Sequence, residues 1–340
     1  MRYRLSILAI ALACLLLSST RTGASPASLP QVGAGHWHTC ELRMDGTLAC
    51  WGLNANGRIN PPAGIFTQVD AGGSHNCGLK TDGTLACWGT NGDGQSTPPS
   101  ATFSQASAGA GHTCGVLTDG TLACWGINMN GQASPPTGTF TQVSAGGFHT
   151  CGVKTGGTLA CWGLNANGQA SPPEDTFTQV DAGYLHTCGV KTGGTLACWG
   201  DNTNGQASPS EDTFTQVSAG GMHTCGVKTG GTLACWGDNT YGQASPPTGT
   251  FTQVSAGWVH TCGVKTGGAL ACWGDNTYGQ ATPPTAPVGG IAEYPQLEPQ
   301  AASSSHGSWA PNGLAFAGLA AGGALLLAAG GSYARRRWRT

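Results

Sequence analysis

The sequence predicts an all-β chain: a seven-bladed β-propeller of 37-residue repeats, followed by one C-terminal transmembrane helix. Three observations predict it. Phe66, Phe103, Phe140, Phe177, Phe214 and Phe251 recur every 37 residues, with Leu29 in the same place of a first copy. Every copy carries two Cys ten residues apart, and a Trp directly follows the second. Gly is abundant, at 57 of 340 residues, and charged residues make up only 9%. Periods near 40 with several short strands mark propellers, and Gly-rich turns punctuate short strands. The copies occupy residues 29–287 without insertion or deletion. A solenoid would need atypical repeats to cap its open ends. The first and last copies look like the others, which favours a closed ring. Whether Leu29 to Val32 completes blade one or joins blade seven is open at this level.

One copy shows the local logic. Phe140 to Ser144 reads as a strand, Ala145 to Phe148 as a turn, and His149 to Lys154 as a second strand. Thr155-Gly156-Gly157 is a tight turn before a third strand, Thr158 to Trp162. A turn-rich loop, Gly163 to Gly168, precedes Gln169-Ala170-Ser171, which is expected to form a short fourth strand. Cys151 opposite Cys161 centres the hairpin on Gly156 and leaves a three-residue loop. Such loops place one residue in the left-handed region, which suits Gly157.

Cross-strand neighbours at non-hydrogen-bonded sites lie about 4.5 Å apart at Cα, at the short end of disulfide range. The expected bridges are therefore Cys40–Cys50, Cys77–Cys87, Cys114–Cys124, Cys151–Cys161, Cys188–Cys198, Cys225–Cys235 and Cys262–Cys272. Zinc held by Cys and His is the alternative, although zinc sites use tighter Cys spacing. Alternation puts His149, Cys151, Val153, Leu159 and Cys161 on one face of the blade and Ala160 and Trp162 on the other. Blades pack on neighbours at both sides, so both faces need apolar cover. The repeated Trp51, Trp88, Trp125, Trp162, Trp199, Trp236 and Trp273 read as core, with a sugar-stacking platform as the alternative.

The ends of the chain read as addresses. Residues 1–24 resemble a secretory signal: Arg2 and Arg4, an apolar run from Leu5 to Leu17, then Thr22-Gly23-Ala24 as a cleavage site. A lipoprotein signal ending at Cys14 is the rival reading. Residues 288–312, rich in Pro, Ser and Ala, read as a flexible stalk. Residues 313–334 are long and apolar enough to span a bilayer. The basic tail, residues 335–340, should stay cytoplasmic and leave the repeats outside. A cleaved sorting signal is the alternative, though no LPxTG-type motif precedes the span. The expected location is secreted and anchored at the cell surface, single-pass, with oxidised cysteines.

Between Ser25 and Asn312 the chain has seven Lys/Arg against sixteen Asp/Glu, a net charge of −9. Nucleic-acid binding rests on clustered cations that neutralise phosphates, so nucleic acid is not an expected partner. The expected partners are an extracellular protein or glycan, and the membrane through the C-terminal helix.

The pattern A-G-x-x-H-T-C-G-V-K-T-x-G-T-L-A-C-W-G-x-N-x-x-G-Q resembles the regulator of chromosome condensation repeat. The resemblance covers all seven copies and implies a seven-bladed propeller. The Cys pair departs from the family pattern and suits export. The eukaryotic founder of that family is a nuclear nucleotide-exchange factor for a small GTPase. That role uses features outside the repeat, and this chain has no insertion to supply them. A secreted bacterial member inhibits β-lactamase with one rim of its propeller, a use closer to what this sequence suggests.

The repeated histidines, His38, His75, His112, His149, His186, His223 and His260, read as structural, with a metal-binding or pH-sensing ring as the alternative. Asp201, Asp238 and Asp275 faintly suggest calcium, but their spacing fits Asx turns better. No nucleophile, base and orienting group stand apart from the repeat. The expectation is therefore a non-enzymatic binding scaffold without cofactor or metal. Two places vary between copies. Before the repeated His stand Trp37, Phe148, Tyr184, Leu185, Met222, Trp258 and Val259, and in the loops after Trp-Gly stand Tyr241 and Tyr278. Large apolar turn residues pack or bind something, so these are the candidate ligand-binding residues. The rival functions are an enzyme inhibitor of the β-lactamase-inhibitor kind and a structural envelope protein.

Overall fold

A computed structural model describes residues 30–284. The signal, stalk, membrane-span and tail expectations fall outside the described residues. Among the described residues, twenty-one strands form seven separate three-stranded antiparallel sheets. In blade four the inner strand is Phe140–Ala145, the middle His149–Lys154 and the outer Leu159–Gly163. Blade one repeats this with Gln31–Ala34, His38–Leu42 and Leu48–Gly52. The first strand therefore completes blade one and is not shared with blade seven.

The hairpin register is the one that the cysteines imply. Cys151 faces Cys161, and Val153 faces Leu159. The Gly157 N–H donates to the Lys154 carbonyl, and Gly157 has φ +85°. All seven expected disulfides are present, each joining Cys ten residues apart. The inner strand bulges between Phe140 and Gln142, which adds local twist as such insertions do.

The expected fourth strand does not form. Gln169-Ala170-Ser171 is a turn, closed by the Ser171 N–H on the Gly168 carbonyl. Gln169 is buried instead, and its carbonyl accepts both the Thr187 hydroxyl and the Trp199 indole N–H of the next blade. The segment is spent on joining blades, so its backbone cannot also extend a sheet.

Blade joints explain the repeated residues. Trp199 packs on the Cys151–Cys161 region of the preceding blade with Val153, Leu159 and Val180. The repeated Trp therefore packs in the blade joint, buried at Trp51 and half-buried in the other six copies. Each repeated His is fully buried and reaches the next blade: His149 Nε2 to Thr187 Oγ1 at 2.7 Å, and His260 Nε2 to Thr39 Oγ1 at 2.9 Å. Thr187 gives its one hydroxyl proton to the Gln169 carbonyl. The His149 Nε2–H must therefore be the donor, which fixes the neutral tautomer. Burial pushes His149 down to about 3.

The inner strands add a second ring of joints. The Gln142 carboxamide donates to the Val180 carbonyl and accepts the Val180 N–H, both at 2.9 Å. It pairs with the free strand edge as another strand would. Gln253 does the same to Val32, which closes the ring from blade seven to blade one.

Candidate binding face

Chain direction decides which loops share a face. Inner strands run toward the Ala-Gly-x-x turns, middle strands run back, and outer strands return. The turns and the Asn-containing loops after Trp-Gly therefore lie at the same end of the ring. Backbone bonds tie them: the Leu164 N–H donates to Phe148, Asp201 to Leu185, Asp238 to Met222 and Asp275 to Val259. Tyr241 and Tyr278 thus belong to the same face as the turn residues. The hairpins lie at the opposite end, where Lys191 pairs with Asp175 at 2.9 Å and Lys228 with Asp212 at 2.7 Å.

At the turn end the seven blades close a throat. The Gly147 N–H donates to the Gly183 carbonyl of the next blade, and Trp258 closes the circuit on Gly35. The chain approaches itself so closely that a Cβ on Gly183 would lie 2.7 Å from the Gly220 carbonyl oxygen. Only glycine fits there.

The residue after each such glycine varies in size around the ring: His36, Gly73, Ala110, Gly147, Tyr184, Gly221 and Trp258. Each large ring has a glycine in an adjoining blade, and the reason is steric. A Cβ on Gly147 would meet Tyr184 Cδ2 at 2.6 Å, one on Gly221 would meet the Trp258 carbonyl at 2.5 Å, and one on Gly73 would meet His36 Cε1 at 2.9 Å. Three large rings lie over three small neighbours and converge on the axis. Tyr184 meets Trp258 edge to face at 4.5 Å between centroids, and His36 meets Trp258 at 4.7 Å. Phe148 joins through Tyr184 at 5.1 Å, and Trp37 through His36 at 5.7 Å. Such contacts each contribute about 0.5–1.5 kcal/mol beyond area burial.

The structure thus gathers Trp37, Phe148, Tyr184 and Trp258 into one half-buried cluster, and adds His36. His36 stands at the same variable turn place as Tyr184 and Trp258, although it is not among the candidate residues named from the sequence. Burial and the nearby Arg58 guanidinium push His36 down to about 4, so it is neutral near pH 7. Leu185 and Val259 are half-buried beside the cluster. Met222, Tyr241 and Tyr278 stand apart and exposed, at 42%, 57% and 46%. Met129, at 78%, is a further exposed residue in the loop class of Tyr241 and Tyr278. Asp201, Asp238 and Asp275 each accept the backbone and hydroxyl of a Thr two residues on, and a Gln amide. They act as turn residues. Among the described residues no three His, Cys, Asp or Glu side chains converge as a metal site.

The family model described as regulator of chromosome condensation (RCC1) repeat matches residues 66–95, 103–132, 140–169, 177–206, 214–243 and 251–280. The receptor kinase CR4 ectodomain of Physcomitrella patens is similar at 28% identity, covering 73% of each chain, with TM-score 0.63. The CRINKLY ectodomain of the Arabidopsis thaliana receptor kinase ACR4 is similar at 28% identity, covering 73% of this chain and 97% of that one, with TM-score 0.62. Prp20p of Saccharomyces cerevisiae shares the fold at 16% identity, over 67% of this chain and 80% of that one, with TM-score 0.59. No curated protein sequence matches the chain.

Proposed function

This chain belongs to the regulator of chromosome condensation (RCC1) repeat family, and from that premise we propose that it is an extracellular, surface-anchored recognition scaffold that binds a protein or glycan through the turn face of the ring. One observation carries the reading. Six of the seven blade joints among the described residues repeat the same His, Thr, Trp and Gln contacts, and the joint of blades one and two keeps the pattern with Asn76 for Thr and Arg58 for Gln. The turn face, by contrast, concentrates large, unlike side chains where the ring itself needs only small ones. Gly73 and Ala110 serve the same slot as Tyr184 and Trp258 without loss of the throat. A surface of rigid aromatics rimmed by exposed Met and Tyr is how interfaces concentrate binding energy in a few anchors.

The extracellular part of the reading is supported by seven disulfides, which persist in oxidising compartments. It is also supported by the likeness to two receptor ectodomains. Anchoring rests on the apolar sequence of residues 313–334 and the arginines after it. An inhibitor of a secreted enzyme would use the same face against a narrower target, and a structural envelope role would need no such face. The purified protein should be tested against a panel of labelled envelope proteins and glycans. Retention of one of them, lost when Trp37 and Trp258 become Ala, supports recognition through this face. Retention that survives both substitutions places the contact elsewhere.

A further inference from the structure

Below the throat, the inner strands enclose an axial cavity of about 490 Å³. Asp70, Ser107, Ser144, Asp181, Ser218 and Ser255 occupy one equivalent position in six blades and line it. The fold asks this position for one acceptor. Ser107 Oγ accepts the Ala145 N–H of the next blade at 3.0 Å, and Ser144 Oγ accepts that of Ala182 at 2.9 Å. Asp70 and Asp181 do the same for Ala108 and Ala219, each at 2.8 Å. Serine fills the role without charge, and blade one has Gly33 there. Two blades instead place a carboxylate where burial disfavours it, and the cavity wall has no Lys, Arg or His to pair with it. The second Asp181 oxygen takes no hydrogen bond from any described residue. Burial raises both carboxyls, Asp181 to about 7, with the Asp70 charge adding to the rise.

We propose that this cavity is a binding site for an organic diammonium ligand, with one ammonium group against Asp70 and the other against Asp181. The site is distinct from the turn face. Its volume falls in the range of small-molecule pockets, roughly 300–1,000 Å³, and is far larger than one metal ion fills. A hard cation wants six or more oxygens converging on it. Here the Ser oxygens already accept backbone N–H groups, and no third carboxylate or imidazole joins the pair. An ammonium group brings three donors and no acceptor, the complement of carboxylates that have no cation beside them. Asp181 keeps one oxygen without a hydrogen bond, and Asp70 accepts the Ala108 N–H and the Ser107 hydroxyl. Thr67 and Ser104, near the starts of their inner strands, also line the cavity. Entry is therefore from the hairpin end, since the glycine throat narrows the other.

The test is calorimetric titration of the full chain with 1,4-diaminobutane at pH 8, beside 1-aminobutane, 1,4-butanediol and calcium. The expected result is saturable binding of one diamine per chain, weaker binding of the monoamine and none of the diol. Asp70→Ser and Asp181→Ser should each weaken the diamine about tenfold or more, and the double variant should abolish binding. Serine at this position is already compatible with four blades. Asp181→Asn, which keeps the shape and removes the charge, is the second variant should a serine variant fail to fold. Affinity should fall between pH 8 and pH 5, because Asp70 and Asp181 are the titratable groups lining the cavity. No binding by the native chain at millimolar diamine would overturn the proposal. So would undiminished binding in the double variant or in Asp181→Asn, or calcium binding that the diamine does not displace.

Discussion

Tyr184 of blade five and Trp258 of blade seven meet edge to face across blade six, with ring centroids 4.5 Å apart. Gly221 of blade six makes the meeting possible, because any Cβ there would lie 2.5 Å from the Trp258 carbonyl oxygen. The aromatic cluster and the glycines between its members are therefore one construction.

Gly221→Ala tests that construction. The backbone must shift to admit the methyl group, and overpacking of this kind costs about 1–3 kcal/mol. Urea unfolding should show that loss, together with a change in the near-ultraviolet circular dichroism of Trp258. Gly156→Ala is the control, since a Cβ there has nothing within 4 Å; it should leave both measurements nearly unchanged.

The disulfides should be read out by peptide mapping without reduction, with Cys151 joined to Cys161 and each other bridge kept within its own repeat. Replacing that pair by Ala should cost about 2–3 kcal/mol, the order expected for a short closed loop. An unchanged denaturation midpoint would mean that the bridge adds nothing beyond packing.

Stability should fall as the solution is acidified below about pH 6.5. Burial holds His149, His223 and His260 down to about 3, and His186 to about 4, against 6.5 when unfolded. The unfolded chain binds more protons between those values, so the stability present above 6.5 is lost as pH falls toward the folded values. Asp181 acts in the opposite sense. Its carboxyl rises from 3.8 to about 7, so its contribution is present at low pH and lost as pH rises through 7. The histidines outnumber it, and thermal midpoints should drop from pH 7 to pH 5. Replacing Thr187 with Val strands the His149 Nε2–H and should cost about 1–3 kcal/mol.

Much of the scaffold was legible because the repeat writes each constraint seven times. The Cys spacing set the hairpin register, Gly157 marked the left-handed turn position, and the repeated Trp marked the blade joint. The fourth strand was misread because Gln169-Ala170-Ser171 is short and carries no marker of direction; its buried Gln bonds the next blade, which one copy cannot reveal. Tyr241 and Tyr278 looked remote from the turns in sequence, yet strand alternation brings them to the same end. The pairing of Gly147 with Tyr184 and of Gly221 with Trp258 was hidden because each pair spans two blades. Asp70 and Asp181 were invisible as a pair for the same reason: each looks like an ordinary strand residue until seven inner strands close a cavity.

The central claim is that recognition uses the turn face. The direct measurement is the affinity of a panel-selected partner for three forms of the protein: native, Trp37→Ala with Trp258→Ala, and Lys191→Ala with Lys228→Ala on the hairpin end. The expected result is a loss of about tenfold or more in the tryptophan variant, in line with the worth of aromatic anchors, and little change in the lysine variant. Met222→Glu, at an exposed position outside the cluster, should weaken binding without touching the fold. Native affinity in both turn-face variants, with loss confined to the lysine variant, would contradict the account.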